Sequence, residues 1–378
     1  NSFNNYIEYS IDYVNAGMYE EAISLLKVYE DLNKVDSPLL YYYLGWFYFN
    51  LNKNETAENY YKKAASFPPD YCFPHKIEDM MALEKALRLN PDDSKAYYFM
   101  GNYWYANRQY DDAIECWEKS ISLNDKYATA LRNLSLAYYN KLQKYTESIS
   151  LLEKAFEFDT TDSRVLMELD QLYQIQNYSH DHRLALLEKH LDLVEQRDDL
   201  YLERITLYNQ LGKYEKSASL IARRKFHPWE GGEGKVGYQF LHCHIELAKA
   251  AIASGLNEKA LQFLANVEAY PINLGEGKLF GTQENDIPYL QGCAYEAMGL
   301  KEKANEKFIQ ATRGISEPVQ AIFYNDPKPD KIFYQGLAWF KLGNEKKANE
   351  IFEKLIRFAA QHINDKIEID YFAVSLPD

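Results

Sequence analysis

The sequence predicts an all-α fold built as a solenoid of stacked helical hairpins. Apolar residues recur every three or four positions, which is the spacing of one helix face and not of a strand. The sequence also repeats itself at a period of about 34 residues, as equivalent hairpins in a stack would. Of the 378 residues, 47% are apolar and 26% charged. This composition is typical of a globular chain that buries a large core.

Small residues at fixed positions define the repeat. Gly45 and Gly101 are each followed by an alanine and, four residues after that alanine, by Tyr61 or Trp117. A small residue lets two helices approach closely, and the aromatic residue fills the space between successive hairpins. The frame predicts about eight or nine hairpins. It fits further segments centred on Ser10, Ser135, Asp170, Ile205, Ala248, Gly292 and Gly336.

This pattern resembles the tetratricopeptide repeat, a helix-turn-helix unit with small residues at its eighth, twentieth and twenty-seventh positions. The resemblance implies a right-handed superhelical solenoid that binds proteins or peptides in a concave groove lined by the first helix of each hairpin. The groove candidates are Tyr42, Trp46, Phe49, Tyr98, Asn102, Tyr105, Arg132 and Asn133. Only Asn102, Arg132 and Asn133 match the family's carboxylate clamp, so a role as a chaperone co-factor is not predicted.

Two departures from the repeat suggest a division of the chain. Residues 1–225 follow the short period, with an interruption near 68–75, where Pro68, Pro69 and Pro74 break the helix. Residues 226–378 follow a longer period, from Ala248 to Gly292 and on to Gly336. We expect the added residues in loops or lengthened helices on one face of the solenoid.

The added length carries a repeated motif. Gly-Glu-Gly-Lys occurs at residues 232–235 and again at residues 275–278. We interpret the two segments as equivalent loops, each entering the first helix of the next hairpin. A nucleotide-binding loop is excluded, because no Ser or Thr follows Lys235 and no strand precedes it.

Three interpretations of these loops stay open. In the structural one, Trp229 fills a gap while Glu233 and Glu276 cap helix N-termini. In the second, the loops are a docking surface, since an aromatic residue flanked by charges suits recognition. In the third, Glu230 or Glu233 acts with His227 in glycoside chemistry. The candidate loop residues are His227, Trp229, Glu230, Glu233, Lys235, Glu276 and Lys278.

A second resemblance concerns four short segments. They look like parts of the C-terminal repeat region of large bacterial proteins with an uncharacterised, aldose-mutarotase-like β-sandwich at their N-terminal half. The resemblance implies that such a domain would precede Asn1 and could itself be the partner. The segments are Cys72-Phe73-Pro74, Arg132-Asn133-Leu134, the loop from Phe226 to Lys235, and Asn273-Leu274-Gly275-Glu276-Gly277.

Charge and cysteine usage limit the remaining functions. A formal charge of −14 disfavours nucleic acid and anionic membrane surfaces as partners. The four cysteines show no close pairing, which favours a reducing, cytoplasmic compartment. Residues two apart on a helix point away from each other, so His242 and His244 are not expected to share a metal ion. We therefore predict a non-enzymatic scaffold without a cofactor; the alternative is the helical accessory half of a carbohydrate-processing enzyme.

Overall fold

A computed structural model describes residues 3–32, 37–279, 281–319 and 328–365, without the side chain of residue 32. Over these ranges the chain contains helices and no strand, which confirms the predicted all-α fold of helical hairpins. The chain forms two compact units, Asn1–Gln176 and Asn177–Asp378. The predicted division at 225/226 rests on the repeat period, which is a different property, and stays a prediction.

Within its described residues, unit 1 consists of four hairpins and two further helices, α5 and α10. Neighbouring helices pack as the pairs α1/α2, α3/α4, α6/α7 and α8/α9, and α5 packs against α3 and α6. No helix lies between residues 67 and 76, where the prolines interrupt the repeat. The helices are α1 Phe3–Asn15, α2 Tyr19–Leu32, α3 Leu39–Asn50, α4 Asn54–Ser66, α5 Ile77–Leu89, α6 Ser94–Ala106, α7 Tyr110–Leu123, α8 Ala128–Leu142, α9 Tyr145–Phe158 and α10 Ser163–Ile175.

Unit 2 has the same hairpins but longer connections between them. The connection from α16 to α17 covers residues 267–285 and contains a 3₁₀ turn at Ile272–Leu274, and α15 is lengthened to 19 residues. The helices are α11 His180–Lys189, α12 Leu191–Val194, α13 Asp198–Gln210, α14 Tyr214–Arg223, α15 Lys235–Ala253, α16 Asn257–Asn266, α17 Asp286–Ala297, α18 Lys301–Ala311, α19 Pro329–Lys341 and α20 Glu345–His362.

The glycines of the repeat frame lie where the two helices of a hairpin touch. A Cβ added to Gly101 would collide with the indole of Trp117, and one added to Gly292 would lie 2.6 Å from Phe308. Gly45 and Gly336 meet Tyr61 and Phe352 in the same way. The absence of a side chain therefore permits the helix crossing that the aromatic residue then fills.

The aromatic helix α3 is the centre of the unit 1 core. Its residues from Leu39 to Tyr48 are all buried, because α3 packs against α2, α4 and α5. Two buried tyrosine hydroxyls of α3 donate hydrogen bonds to carboxylates at the starts of the following helices. Tyr42 bonds Asp93 over 2.9 Å and Tyr43 bonds Asp79 over 2.7 Å. Burying these polar atoms is thus compensated, and the bonds fix the register of α5 and α6 against α3.

Two further properties of the chain concern membrane crossing and cysteine chemistry. Within the ranges described, no helix combines the length and the apolar character that a bilayer crossing requires. All four cysteines are free thiols, and Cys72 and Cys243 are buried. Buried free cysteines act here as small hydrophobic residues of the core.

Candidate functional site

Unit 2 contains a cleft of about 390 Å³ between α15, the connection 267–285 and α19. Its walls carry aromatic rings and charged groups side by side. The lining residues are Gly234, Tyr238, Leu241, His242, Ile245, Glu246, Lys249, Tyr270, Glu276, Gly277, Leu279, Thr282, Gln283, Glu284, Asp286, Lys328, Asp330, Lys331 and Tyr334.

Helix α15 supplies one wall through residues at helical spacing. Tyr238, His242, Glu246 and Lys249 follow each other at intervals of four, four and three, which places them on one face. The Tyr238 and His242 rings are stacked, with centroids 6.0 Å apart. Burial lowers the pKa of His242, so the imidazole is neutral near pH 7. This wall is therefore an aromatic strip that ends in the Glu246–Lys249 ion pair of 2.7 Å.

Lysine ammonium groups lie over the tyrosine rings of the cleft. Lys328 Nζ lies 4.7 Å from the centroid of the Tyr238 ring, and Lys249 Nζ lies 5.9 Å from that of Tyr334. Both distances are within the range of cation–π attraction. Since Tyr334 belongs to α19 and Lys249 to α15, these contacts also join the two walls.

Two carboxylates from the start of α17 lie deep in the cleft. Glu284 forms an ion pair with Lys278, and Asp286 forms one with Lys331. The side chains of Glu284 and Asp286 are only 11% and 3% exposed. Each keeps one buried oxygen, Glu284 Oε1 and Asp286 Oδ1, for which the described residues offer no hydrogen-bond partner. Buried acceptors of this kind are unusual in folded proteins and favour a donor from outside.

Burial and charge shift the pKa values of this group of residues. Burial raises the pKa of Glu284, and the neighbouring Lys278 opposes that shift only in part. Burial acts to lower the pKa of Lys331, but the charge and hydrogen bond of Asp286, together with the charges of Asp330 and Glu284, outweigh burial, so that the pKa of Lys331 is raised. Lys331 is thus firmly protonated, whereas Glu284 is easier to protonate than an exposed glutamate.

The second Gly-Glu-Gly-Lys motif holds the first one in place. Glu276 accepts hydrogen bonds from the backbone N–H of Gly234, over 2.8 Å, and of Gly237, over 2.7 Å. Helix α15 begins at Lys235, so this carboxylate caps its N-terminus from a different loop. The capping role expected for Glu276 is therefore confirmed, although the capped helix is the one that follows the first motif.

Asn273 connects the same two loops closer to the body of the unit. Its side-chain amide donates to the carbonyls of Ile221, over 2.8 Å, and Arg224, over 3.0 Å. Its own carbonyl accepts from the backbone N–H of Phe226 over 2.8 Å. Next to it, Gly275 has a φ of +75°, and a Cβ there would lie 2.6 Å from the Phe226 carbonyl oxygen. Only glycine fits so close an approach in that conformation.

The remaining loop candidates line or flank a second, smaller cavity of about 260 Å³. Trp229 is half-buried, and its ring packs over Gly232. His227 is exposed, and its backbone N–H donates to Asp198 over 2.8 Å. Glu233 is exposed and takes no part in any hydrogen bond that the structure describes, so it does not cap α15 as expected. Glu230 and Lys235 are exposed as well.

The two motifs are not equivalent loops, which corrects the interpretation made from the sequence. Lys235 is the first residue of α15, whereas Lys278 precedes the first residue of α17, Asp286, by a further stretch of connection. Lys278 instead turns to Glu284 within that stretch. The shared sequence thus serves two different local structures.

The groove candidates of unit 1 divide into core and surface residues. Tyr42, Trp46 and Tyr98 are buried, so in this structure they pack between helices and do not line an open groove. Phe49 and Tyr105 are partly exposed. The resemblance placed all of these residues on one groove, but α3 is enclosed by its neighbours on several sides.

The polar groove candidates of unit 1 bind one another. Asn133 donates to Asn102 over 3.0 Å, and Arg132 donates to Asn133 over 3.3 Å. Arg132 also pairs with the buried Glu168 through two of its nitrogens, Nε lying 2.7 Å from Oε2. The charge of Arg132 is therefore already compensated, which leaves little attraction for a carboxylate ligand.

Glu276 is the one cleft residue that was predicted as a candidate from the sequence; the other residues that line the cleft were not. The spacing of Tyr238, His242 and Glu246 on α15 was an available signal for one wall. Glu284 and Asp286 gave no such signal, because their position depends on the path of the connection 267–285. Over the residues described, no group of three or more His, Cys, Asp or Glu side chains is arranged to hold a metal ion.

Three segments match family models of the tetratricopeptide repeat. They are residues 39–71, 94–127 and 332–359. These segments correspond to the hairpins α3/α4 and α6/α7 and to most of α19/α20. Both units thus contain segments that match models of the tetratricopeptide repeat, as the sequence pattern predicted.

Solved structures of repeat proteins are similar to parts of this chain. The C-terminal part of a TPR repeat-containing protein from Cytophaga hutchinsonii is 18% identical over 69% of this chain and 93% of its own, with a TM-score of 0.36. YrrB, a TPR protein with an unusual peptide-binding site, is 17% identical over 61% of this chain and 90% of its own, with a TM-score of 0.33. MamA 41-end from Desulfovibrio magneticus RS-1 is 22% identical over 52% and 96%, with a TM-score of 0.30.

Proposed function

We propose that this tetratricopeptide-repeat chain is a protein-interaction scaffold that holds a peptide segment of its partner in the unit 2 cleft. Repeats of this type generally mediate interactions between proteins, which supports the general class. The cleft supports the location, because it is concave and combines aromatic surface with several charged groups. Its size falls within the range of binding pockets, which is roughly 300 to 1,000 Å³.

The observation that carries this proposal is the exposed aromatic surface of the cleft wall. Tyr238 is 49% exposed although it sits in a concavity, next to the half-buried His242 and Tyr334. Tyrosine is enriched at protein interfaces, since it offers apolar area with a polar tip. A cleft wall of this kind is suited to bind a peptide side chain.

The other predicted surfaces fit the proposal as secondary contacts. The exposed loop residues His227, Glu230 and Glu233 lie around the adjoining smaller cavity, which would extend the surface for a longer partner. In unit 1, Asn102 and Tyr105 keep partly exposed surface that a partner could also contact. An upstream domain of the same protein is one such partner, and the cytoplasmic location stays a prediction.

A peptide-display selection on the purified chain tests the proposal. Peptides retained by the chain should bind at least about tenfold more weakly to the Tyr238→Ala variant. Phe340→Ala is the matched control, because Phe340 is an exposed aromatic residue of α19 that does not line the cleft. Peptides that bind both variants equally well would show that the cleft is not the binding site.

The alternative function, an accessory half of a carbohydrate-processing enzyme, needs a loop carboxylate that can reach a sugar. Both oxygens of Glu276 already accept backbone N–H groups. Glu230 and Glu233 are exposed, whereas a general acid is normally shielded from water. We therefore place this alternative second; loss of a sugar-processing activity of the whole protein in Glu233→Gln would support it.

A further inference from the structure

We infer that the partner segment inserts a basic side chain, arginine or lysine, into the cleft against Glu284 and Asp286. The inference rests on the proposed function and specifies the chemistry of the peptide. Three features of the cleft support it: the carboxylate oxygens without a hydrogen-bond partner, the excess of acidic over basic residues, and the lysine ammonium groups that lie over the tyrosine rings.

The first feature is a pair of carboxylate oxygens that can accept hydrogen bonds from a ligand. Glu284 Oε1 and Asp286 Oδ1 are buried and have no hydrogen-bond partner among the described residues. Asp286 is 97% buried by side chain, as its 3% exposure shows, and it lines the cleft. A buried acceptor without a partner lowers the stability of the folded chain. A ligand that brings N–H donors recovers that free energy on binding.

The lysines of the chain do not satisfy these oxygens. Lys278 contacts Glu284 at Oε2, and Lys331 contacts Asp286 at Oδ2. Each carboxylate thus keeps its second oxygen after forming an ion pair. A guanidinium group carries five donors in a planar fork and is suited to bind two acceptors at once.

The charge balance of the lining also favours a cation. Five acidic residues, Glu246, Glu276, Glu284, Asp286 and Asp330, line the cleft together with three lysines, Lys249, Lys328 and Lys331. Adding Lys278, which pairs with Glu284, still leaves one more negative than positive group. The whole chain carries a formal charge of −14, which acts in the same direction at longer range.

The tyrosine rings of the cleft attract cations. Three of them have a lysine ammonium nearby from the chain itself: Tyr238 with Lys328 at 4.7 Å, Tyr334 with Lys249 at 5.9 Å and Tyr270 with Lys278 at 6.0 Å. Lys328 and Tyr238 show how a basic side chain from a partner would lie along the wall. Arginine stacks on aromatic faces more readily than lysine because it is more weakly hydrated.

Peptides recovered by display selection on the whole chain provide the test. We expect them to share an arginine or lysine at one position. Replacing that residue by its uncharged analogue, citrulline for arginine or acetyl-lysine for lysine, should weaken binding to the wild-type chain at least about tenfold. In Glu284→Gln the difference between the charged and uncharged peptides should largely disappear, whereas it should persist in the control Glu302→Gln, which changes an exposed carboxylate of α18 that lines neither cavity.

The outcomes separate the inference from the function on which it rests. Cleft-dependent peptides without a basic residue, or with equal affinity after exchange for the uncharged analogue, would overturn the inference and leave the scaffold proposal standing. Failure to recover any peptide that depends on Tyr238 would overturn both. The comparison of charged and uncharged peptides on the wild-type chain decides the matter even if Glu284→Gln does not fold, and a circular-dichroism melt identifies that case.

Discussion

The two units use the same helix crossing but join their hairpins differently. In unit 1, α7 and α8 are separated by residues 124–127 only, whereas in unit 2 residues 267–285 separate α16 from α17. A long connection costs ordering entropy. Here Asn273 and Glu276 offset that cost through hydrogen bonds to the preceding loop. Both units thus share the helix crossing, whereas the long connection of unit 2 also supplies part of the lining of the cleft.

The largest effect should come from the crossing itself, which both units share. Gly101→Leu should lower the free energy of unfolding by about 3 kcal/mol or more, because the added side chain collides with Trp117. Gly277→Ala is the control: a Cβ there meets nothing within 4 Å, so the change should stay within about 0.5 kcal/mol. Urea denaturation measures both, and equal stability of the two variants would disprove the repeat frame.

The second prediction concerns the hydrogen bonds by which Glu276 holds the long connection of unit 2 against the start of α15. Glu276→Ala should lower the free energy of unfolding by about 2 kcal/mol, because two partly buried N–H groups at the start of α15 lose their acceptor. Glu233→Ala removes the same residue type from the sister motif and should be nearly neutral, since Glu233 is exposed. Thermal unfolding of the pair checks this. If Glu233→Ala were the more damaging change, the capping assignment would be wrong.

The third prediction concerns the short turns inside the hairpins. Arg108 in unit 1 and Gly255 in unit 2 both have a positive φ, +61° and +74°. Gly255→Arg should destabilise by about 1 kcal/mol, since a side chain strains this backbone conformation. Arg108→Gly should change stability by less than about 0.5 kcal/mol, because relief of strain is offset by greater freedom of the unfolded chain. Chemical denaturation measures the free energy of unfolding of both variants. A clear decrease for Arg108→Gly would contradict the prediction.

The smallest effect is a pH dependence specific to unit 2. Burial lowers the pKa of His242 and of His244, whereas the single histidine of unit 1, His75, is exposed. As the pH falls below about 6.5, the unfolded chain binds protons that the folded chain does not, so the free energy of unfolding decreases.

The matching experiment measures melting temperature between about pH 7.5 and about pH 5.5, where most carboxylates stay ionised. The wild-type chain should lose stability on acidification, and a His242→Gln/His244→Gln variant should lose less. His75→Gln is the control and should follow the wild type. A raised pKa, as for Glu284, acts in the opposite direction and cancels in this comparison. If the melting temperature fell equally with pH in all three proteins, the lowered pKa values of His242 and His244 would be contradicted.

The parts of the molecule that depend on local spacing could be predicted from the sequence. Gly101 and Trp117 lie at a fixed distance along the chain, so their contact could be read from the repeat frame. Glu276 was expected to cap a helix, but its target lies across another loop and could not be derived from spacing. Tyr42 was assigned to a groove and proved to be core, because burial depends on how many neighbours enclose α3. Glu284 and Asp286 were not predicted, because their place in the cleft depends on the path of the connection 267–285 and not on local spacing.

The bonds of Asn273 to Ile221, Arg224 and Phe226 limit how this chain can be recombined. Repeat arrays ordinarily gain or lose single hairpins, because each contacts only its neighbours. Here the hairpin α15/α16 lies between two loops that bind each other, so removing the hairpin together with either loop would leave the other loop without its partner. Exchange by homologous crossover would therefore keep the bonds between the two loops only if it moved the whole block from residue 221 to residue 286. In laboratory chimaeras, the same block carries the bonds of Asn273 and Glu276 with it, whereas Lys331 and Tyr334 of the cleft lie outside it.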